Sequence, residues 1–520
     1  MGKWAKYARN YKKEWEKEPD FKDWLSPSNS GDMAYCRACK VELRPHVQDL
    51  KLHSTRVKHA NNMKRSAGPA AGPLASFVDR RPREPCSSSS DDLKVAELRL
   101  AAHLAVHGSF LTADHLTPVI RERRTWGVYL TAASKKQDGR YRRLELNWYG
   151  LPSHLQDVAS VHLFNTDPHV AARNVSFNPL ESYQVTGRDG RRTTSVVFPR
   201  YNWTSLTTDD CLGFWAVLST PESPVASTSC LRARPRWMRQ HCRELGHLRF
   251  VDLFVPGTHN SAMYDTSSPD HVTIFDHLLL NQEETILNQL LYGIRSLDLR
   301  VQESRGEFWI THDLIKGQLT VRDVLRQVRQ FVQETGEPVL LDFHRFTTGF
   351  RKRDPNPHEN HVRLVQLITE ELRGLLLFRN ATRVPLADIL DGCRDVATPG
   401  PKVLLCYNHP YHGPGVEHVG QGVKHLWANT NDVSTLQSFL DEKVCEPTFD
   451  TPTSAMAQTT AQLPFLKSNR KMAQEVNAQV TRWFRDTWWR CANLVATDFF
   501  LGTDMINVAV DSNLRRVGNS

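Results

Sequence analysis

The stretch QEETILNQLLYGIRSLDLRV, residues 282–301, contains the change of pattern that decides the fold. Its first part has apolar residues at helical spacing and ends at Gly293, which is typical of a helix C-terminus. Its second part, residues 294–301, is an apolar run typical of a strand. Helices that alternate with buried strands build parallel α/β proteins, so we expect this class of fold.

The same alternation extends from about residue 245 to the last residues given. The strand-like run RFVDLFV at 249–255 precedes the quoted stretch. The segments that follow it are FWITHDL (308–314), LTVRDVLRQVRQFVQETG (319–336), PVLLDFHRF (338–346), HVRLVQLITEELRGLL (361–376), KVLLCYN (402–408), AQEVNAQVTRWFRDTW (473–488) and CANLVATDFF (491–500). These residues alone leave two architectures open, a parallel α/β barrel and a doubly wound sheet.

Three other parts precede this region. Short runs with period-two alternation predict an antiparallel β-sandwich. These runs are TWGVYLTA (125–132), RRLELNWYG (142–150), SVHLFN (160–165), ESYQVTG (181–187) and TTSVVFPRY (193–201). Residues 66–92 are rich in Ala, Gly, Pro and Ser without periodicity and predict a disordered linker. We therefore expect a small charged unit at 1–65, the linker at 66–92, the sandwich at 93–244 and the α/β domain at 245–520.

Most of the net charge lies in the first unit. Residues 1–65 contain fifteen Lys and Arg against eight Asp and Glu, so they carry +7 of the formal +9. Such a segment suits contact with nucleic acid or an anionic membrane surface, and a solvated charged helix is the alternative. The rest of the chain is nearly neutral.

The number of cysteines and the N-terminal residues indicate in which cellular compartment the protein is expected. Ten cysteines among 520 residues are too sparse for a disulfide scaffold, so we expect a reduced chain. The first residues have no apolar run typical of a signal peptide, and no later run is long enough to span a membrane. Sequons at Asn174, Asn202 and Asn380 favour a secretory route only weakly. We expect an intracellular protein, whether cytoplasmic, nuclear or peripheral to a membrane.

Polar side chains follow the predicted strand ends, where a parallel barrel has its active site. They are His259 with Asn260, Asp298 with Arg300, His312 with Asp313, Asp342 with His344, and Asp498. Two histidines beside an acid and an arginine suit attack on a phosphodiester, because one imidazole removes a proton, the other donates one, and the guanidinium neutralises phosphate charge. A helix cap at His259 and a structural ion pair of Asp298 with Arg300 are the alternatives.

Four ordered motifs carry a resemblance to a known family. VPGTHNSA, GIRSLDLRV, THDL and PVLLDFHRF resemble the phosphatidylinositol-specific phospholipase C X-domain family, particularly its stand-alone members. The likeness covers about residues 245–510, and LNWYGLP before it resembles the region that precedes the X domain in arthropod members. The resemblance implies a distorted TIM-like barrel.

The resemblance also implies roles for individual residues. His259 would be the general base that deprotonates the inositol 2-hydroxyl, and His312 the general acid for the diacylglycerol oxygen. Arg300 would contact the phosphate, Asp298 would hold the local network and Asp498 would orient His259.

The departures from the family pattern concern metal and substrate binding. Calcium-dependent members have acidic ligands where this chain has Arg300 and His344, whereas an arginine matches the metal-independent bacterial members. Bacterial members carry Asp at the position of Asn260. We therefore expect no catalytic metal, with Ca²⁺ bound through Asn260 and Asp298 as the alternative. Asn260, Asp342 and His344 are expected to contribute to substrate binding.

The first unit contains a spacing typical of structural zinc. Cys36 and Cys39 are followed by His53 and His59 in the pattern C-x2-C-x13-H-x5-H, which meets tetrahedral geometry. The pattern resembles Cys2His2 zinc fingers with a long gap between the histidines, and His46 is a substitute ligand. The basic aromatic segment before it suits phosphate contacts, and a zinc-stabilised unit for protein contacts is the alternative.

Together these residues predict a phosphoric diester hydrolase that acts on an inositol phospholipid at a membrane surface. The alternative is a catalytically inactive X-domain platform that carries a nucleic-acid-binding zinc finger. Which inositol lipid or other diester is the substrate does not follow from the sequence.

Overall fold

A computed structural model describes residues 11–28, 33–55, 59, 126–171, 178–264, 276–393, 400–447, 450–462 and 467–518. The chain divides into two compact units, Met1–Phe110 and Leu111–Ser520. The predicted linker at 66–92 and the sequon at Asn174 lie outside the described residues.

The first unit is small and built around aromatic residues. Its strands are β1 (Leu25–Pro27), β2 (Ala34–Cys36) and β3 (Val41–Leu43), which pair antiparallel in that order, and its helix is α1 (Val47–Ser54). Phe21, Trp24 and Leu50 form the centre of its core. Among its described residues few apolar side chains are buried, and so small a core provides little stability, which is typical of units that a metal ion holds together.

The second unit begins with two antiparallel sheets, in agreement with the predicted sandwich. The strands are β4 (Gly127–Ala132), β5 (Arg143–Tyr149), β6 (Ser160–Phe164), β7 (Glu181–Gln184), β8 (Gly190–Val197), β9 (Cys211–Thr220) and β10 (Ser223–Arg232). The sheet orders are β4-β5-β8 and β10-β9-β6-β7. The long strands β9 and β10 were not among the predicted runs.

The remaining strands form a curled parallel sheet with one antiparallel insertion. They are β11 (Val255–Thr258), β12 (Ser296–Ser304), β13 (Glu307–His312), β14 (Ile315–Thr320), β15 (Val339–Phe346), β16 (Val403–Tyr407), β17 (Val419–Gln421), β18 (Lys424–Leu426), β19 (Thr453–Met456) and β20 (Leu494–Thr497). The parallel order is β18-β19-β20-β11-β12-β15-β16-β17, and β13 and β14 extend antiparallel from β12.

This order distinguishes a barrel from a doubly wound sheet. The first strand, β11, pairs in parallel with the last strand, β20, as barrel closure requires. Among the described residues no ladder joins β17 to β18, so the barrel is open at one seam. The fold is the expected distorted TIM-like barrel.

Helices follow the strands as the sequence predicted. They are α2 (Pro168–Ala171), α3 (Trp237–Gln240), α4 (Cys242–Leu245), α5 (Asp276–Leu279), α6 (Ile286–Tyr292), α7 (Val321–Thr335), α8 (Pro357–Glu371), α9 (Leu386–Ile389), α10 (Val433–Lys443), α11 (Asn469–Asp486) and α12 (Met505–Gly518). Local chemistry sets the ends of α7. Thr320 and Asp323 form a capping box at its start, and Gly336 ends it at a φ of 67°.

The antiparallel sheets and the barrel share one apolar core, in which Leu130, Leu146 and Phe198 belong to the same cluster as Leu291 and Phe500. Polar contacts join them as well. The side chain of Gln474 in α11 accepts a hydrogen bond from the Ser134 amide at 2.8 Å and donates to Glu145 at 2.8 Å. The domain boundary predicted near residue 244 stays a prediction.

Six cysteines are joined in disulfides, so the expectation of a reduced chain is wrong for them. The pairs are Cys211–Cys230, Cys242–Cys393 and Cys445–Cys491. Their partners are 19, 151 and 46 residues apart, and only folding brings such partners within bonding distance. Spacing in the sequence therefore could not reveal them.

Candidate functional site

The predicted site residues converge at one end of the barrel. His259 and Asn260 follow β11, Asp298 and Arg300 lie in β12, His312 ends β13, Asp342 and His344 lie in β15, and Asp498 follows β20. The carboxyl ends of parallel strands share one edge, which explains why residues far apart in sequence meet there. We call this edge the barrel mouth.

His259 lies between the carboxylate of Asp498 and the guanidinium of Arg300. Its Nδ1 lies 2.8 Å from Asp498 Oδ1, and its Nε2 lies 2.7 Å from Arg300 Nη2. A guanidinium only donates, so Nε2 accepts its hydrogen bond and Nδ1 carries the proton that is donated to Asp498. In this hydrogen-bond pattern the Nε2 atom of His259 has no proton of its own, and its lone pair faces Arg300.

Asn281 is a second hydrogen-bond partner of Asp498. Its Nδ2 donates to Asp498 Oδ1 at 3.1 Å, so that oxygen receives two hydrogen bonds. Gln282 beside it donates to the backbone oxygens of His259 and Thr497, at 2.9 and 2.8 Å, which ties β11 to β20. Neither residue was predicted from the sequence, because both follow a helix and not a strand end.

Asp298 and Arg300 form a buried ion pair. Arg300 Nη2 lies 3.2 Å from Asp298 Oδ2, and the same oxygen accepts from the Asn260 amide at 3.1 Å. Burial alone would raise the pKa of Asp298, but Arg300 and the nearby histidines hold it well below its usual range. Asp298 is therefore a fixed negative charge that orients the guanidinium.

Asn260 positions the turn after β11. Its backbone has a φ of 43°, a left-handed conformation that asparagine tolerates better than most residues. Its side-chain amide donates to Asn281 Oδ1 at 3.1 Å.

His312 approaches the mouth from the β13–β14 hairpin. Its Nδ1 donates to the backbone oxygen of Leu279 in α5 at 2.9 Å, so Nε2 is the ring nitrogen that remains for proton transfer. Burial lowers the pKa of His312, and the nearby His259 and Arg300 act in the same direction. Its protonated form is consequently a strong proton donor.

Asp342 and His344 lie beside a third residue, His425 in β18, which was not predicted from the sequence. His425 Nε2 lies 2.6 Å from Asp342 Oδ2, and the rings of His344 and His425 stack at 3.4 Å with an interplanar angle of 8°. Burial and the neighbouring His425 lower the pKa of His344 to about 4. A lone histidine in the short run KHLW gave no pattern that singled it out.

The donors of the mouth do not fit calcium. Ca²⁺ takes six to eight oxygen ligands, whereas the side chains gathered here include the nitrogen groups of Arg300, His344 and His425. Arg300 already bonds Asp298, so a fixed cation takes the place beside that carboxylate.

The first unit brings its four predicted zinc ligands together. One atom each of Cys36, Cys39, His53 and His59 lies within 4.8 Å of the others. Both sulfurs lie 3.5 Å from His59 Nδ1, which matches the edge of about 3.5 Å between sulfur and nitrogen in a tetrahedral zinc site. This group fits a zinc ion. His46 precedes α1 and is not part of it.

Parts of the chain are similar to known proteins. No family model matches the chain. A PI-PLC X-box domain-containing protein of Dictyostelium discoideum is 28% identical over 149 residues, 26% of this chain and 20% of that protein. The chain thus matches about a fifth of that relative's length. PI-PLC X domain-containing protein 2 of Homo sapiens is 25% identical over 253 residues, 44% of this chain and 78% of that protein.

By these matches the chain is similar to PI-PLC X-domain-containing proteins. Among solved structures, a phosphatidylinositol-specific phospholipase C of Staphylococcus aureus is 12% identical with a TM-score of 0.43, over 54% of this chain and 97% of that one. In the described part of the chain, no helix is both long and apolar enough to cross a membrane.

Proposed function

We propose that the chain is a phosphoric diester hydrolase of the phosphatidylinositol-specific phospholipase C type. It would cleave the bond between phosphate and diacylglycerol in an inositol phospholipid at a membrane surface. The observation that carries the proposal is the position of His259 between Asp498 and Arg300, with Nε2 free of its own proton.

The first step uses His259 as general base. The substrate's 2-hydroxyl replaces Arg300 as the partner of Nε2, gives its proton to that nitrogen, and its oxygen attacks phosphorus. Asp498 stabilises the imidazolium that forms, because its carboxylate lies 2.8 Å from Nδ1. Arg300 then neutralises the charge that grows on the phosphate oxygens, while Asp298 holds it in place.

The second step uses His312 as general acid. Its protonated Nε2 gives a proton to the diacylglycerol oxygen as the phosphorus–oxygen bond breaks, and a cyclic inositol phosphate forms. The Leu279 carbonyl keeps the ring oriented through Nδ1. Water then opens the cyclic phosphate more slowly, with the two histidines in exchanged roles.

The test is incubation of the purified chain with vesicles that contain labelled phosphatidylinositol. We expect cyclic inositol phosphate from the wild type, loss of it in both His259→Ala and His312→Ala, and no stimulation by added Ca²⁺. Folding of each variant is checked by circular dichroism. Absence of product from a folded wild type, across several inositol lipids, would contradict the proposal and favour the inactive platform.

We also propose that Cys36, Cys39, His53 and His59 hold a structural zinc ion. The sulfur–nitrogen distances of 3.5 Å support this, and such an ion would stabilise a unit with few core residues among those described.

Binding of nucleic acid by this unit is tested by the salt dependence of affinity for DNA and RNA, which is steep for phosphate contacts. Equal binding by the wild type and Cys36→Ser would contradict a role for the zinc-held fold.

A further inference from the structure

A second group of potential metal ligands lies in the barrel mouth, apart from the pair His259 and His312. Asp342, His344 and His425 each place one ligand atom within 4.8 Å of the others. They come from two strands, β15 and β18, which lie far apart in the sheet order. The barrel curvature therefore brings them together.

Buried atoms of this group lack hydrogen-bond partners. Asp342 is 2% exposed, and its Oδ1 has no partner among the described residues, nor does Nδ1 of His344. Oδ1 of Asp298, beside Asp342 in the neighbouring strand, also has none. Buried polar atoms are normally hydrogen-bonded, so this concentration of unpartnered acceptors indicates a place where a ligand can bind.

The donor types select the class of ligand. Two imidazoles and a carboxylate suit Zn²⁺ and similar divalent transition ions, whereas Ca²⁺ and Mg²⁺ prefer oxygen alone. A metal ion at this position would be bound by the lone pairs of the ligand atoms that accept no hydrogen bond, Oδ1 of Asp342 and Nδ1 of His344. It would also balance the charges of Asp342 and Asp298, which Arg300 neutralises only in part.

We propose that Asp342, His344 and His425 bind a divalent transition-metal ion of the zinc type at the barrel mouth. With three protein ligands, the ion keeps coordination positions open toward the mouth, as in sites that contact a substrate or water.

Only small movements are needed to form this site. The 2.6 Å hydrogen bond between His425 and Asp342 is shorter than the roughly 3.0–3.4 Å that separates two ligand atoms around one ion, so it opens by less than about 1 Å. The stacked imidazoles rotate until one nitrogen of each faces the ion. The three ligand atoms already lie within 4.8 Å of one another.

The inference goes beyond the proposed hydrolase, and its test needs no turnover. The full chain is stripped of metal, loaded with Co²⁺ alone and dialysed, and bound cobalt is counted per chain. Cobalt bound by thiolates in the first unit gives an intense near-ultraviolet charge-transfer band, whereas cobalt bound by imidazole and carboxylate gives only visible bands. The spectrum therefore separates the two sites.

We expect His425→Ala and His344→Gln each to lose one cobalt per chain and the part of the visible absorption that comes from the mouth site, and to keep the thiolate charge-transfer band. His409→Ala is the matched control, because His409 stacks on His361 at 3.7 Å and that pair belongs to no such ligand group. It should bind as much cobalt as the wild type, and excess Ca²⁺ should displace none.

Equal cobalt content in the wild type and in both mouth variants would overturn the proposal. The Asp342–His425 contact would then be a structural ion pair only. Thermal unfolding of the metal-free variants shows whether a loss of binding reflects misfolding. Because His344 and His425 lie on different strands, the proposal requires the same loss from both.

Discussion

Replacement of Asp498 by asparagine tests how much of the chemistry depends on the charge beside His259. The carboxylate lies 2.8 Å from His259 Nδ1, and the two side chains are only 5% and 11% exposed. Asn281 donates a hydrogen bond to the same oxygen. In Asp498→Asn this donor favours the orientation in which the amide oxygen of the new asparagine, and not its nitrogen, faces Asn281 and His259. The tautomer of His259 is therefore retained, and the variant removes the negative charge alone.

The size of the effect follows from this geometry. When His259 takes the substrate's proton, its positive charge lies about 4 Å from the carboxylate charge, which is worth about 4 kcal/mol at an effective dielectric constant of about 20. Since 1.36 kcal/mol corresponds to a factor of ten in rate, Asp498→Asn should lower kcat about 10³-fold. KM should change little, because Asp498 contacts His259 and not the lipid.

The assay is release of cyclic inositol phosphate from phosphatidylinositol vesicles, followed by phosphorus NMR. Asp450→Asn is the control, since Asp450 pairs with Arg249 at 2.6 Å before β19, at the other end of the strands, and its loss should leave kcat unchanged. A decrease in kcat of less than about tenfold, or an effect confined to KM, would refute the assigned role of Asp498 as the residue that stabilises the imidazolium.

Three further predictions concern other groups. Arg300→Lys should lower kcat at least about 10²-fold in the same assay. One ammonium group cannot hydrogen-bond His259 and Asp298 with the same fixed geometry and also contact the phosphate. Wild-type activity in this variant would contradict the role of Arg300. Burial raises the pKa of Glu283 to about 7, so its folded form holds a proton that the unfolded chain has already lost, and stability falls as pH rises from about 4.5 to 7. Glu283→Gln should therefore raise the melting temperature at pH 8 but not at pH 5, and an equal change at both would contradict the assignment. Cys36→Ser should remove zinc from the first unit and raise hydrogen exchange in residues 33–55, while exchange in the barrel strands stays unchanged; protection that survives without zinc would contradict the proposed structural role.

Local patterns in the sequence predict much of this fold. The helical spacing of residues 319–336 corresponds to α7, and the apolar run 338–346 corresponds to β15. These elements bury one face or both, so their periodicity records their environment. The runs that became β9 and β10 escaped prediction, because in them buried and half-exposed residues follow one another without regular alternation.

The candidate site was predictable to the extent that its residues follow strand ends. His259, Arg300, His312 and Asp498 were singled out in this way, and the structure brings them into one mouth. Their roles in catalysis stay predictions. Asn281 and His425 carry no local signature, since their importance arises from contacts with Asp498 and Asp342 across the barrel.

The sequence by itself determined the order of helices and strands and the chemistry of the side chains at the strand ends, because both depend on neighbours along the chain. Only the tertiary structure decided that β11 pairs with β20, which makes the sheet a barrel. The same closure brings His259 to Asp498, 239 residues away, and His425 to Asp342. Contacts of this kind, like the three disulfides, depend on how the whole apolar core packs, and no short segment contains that information.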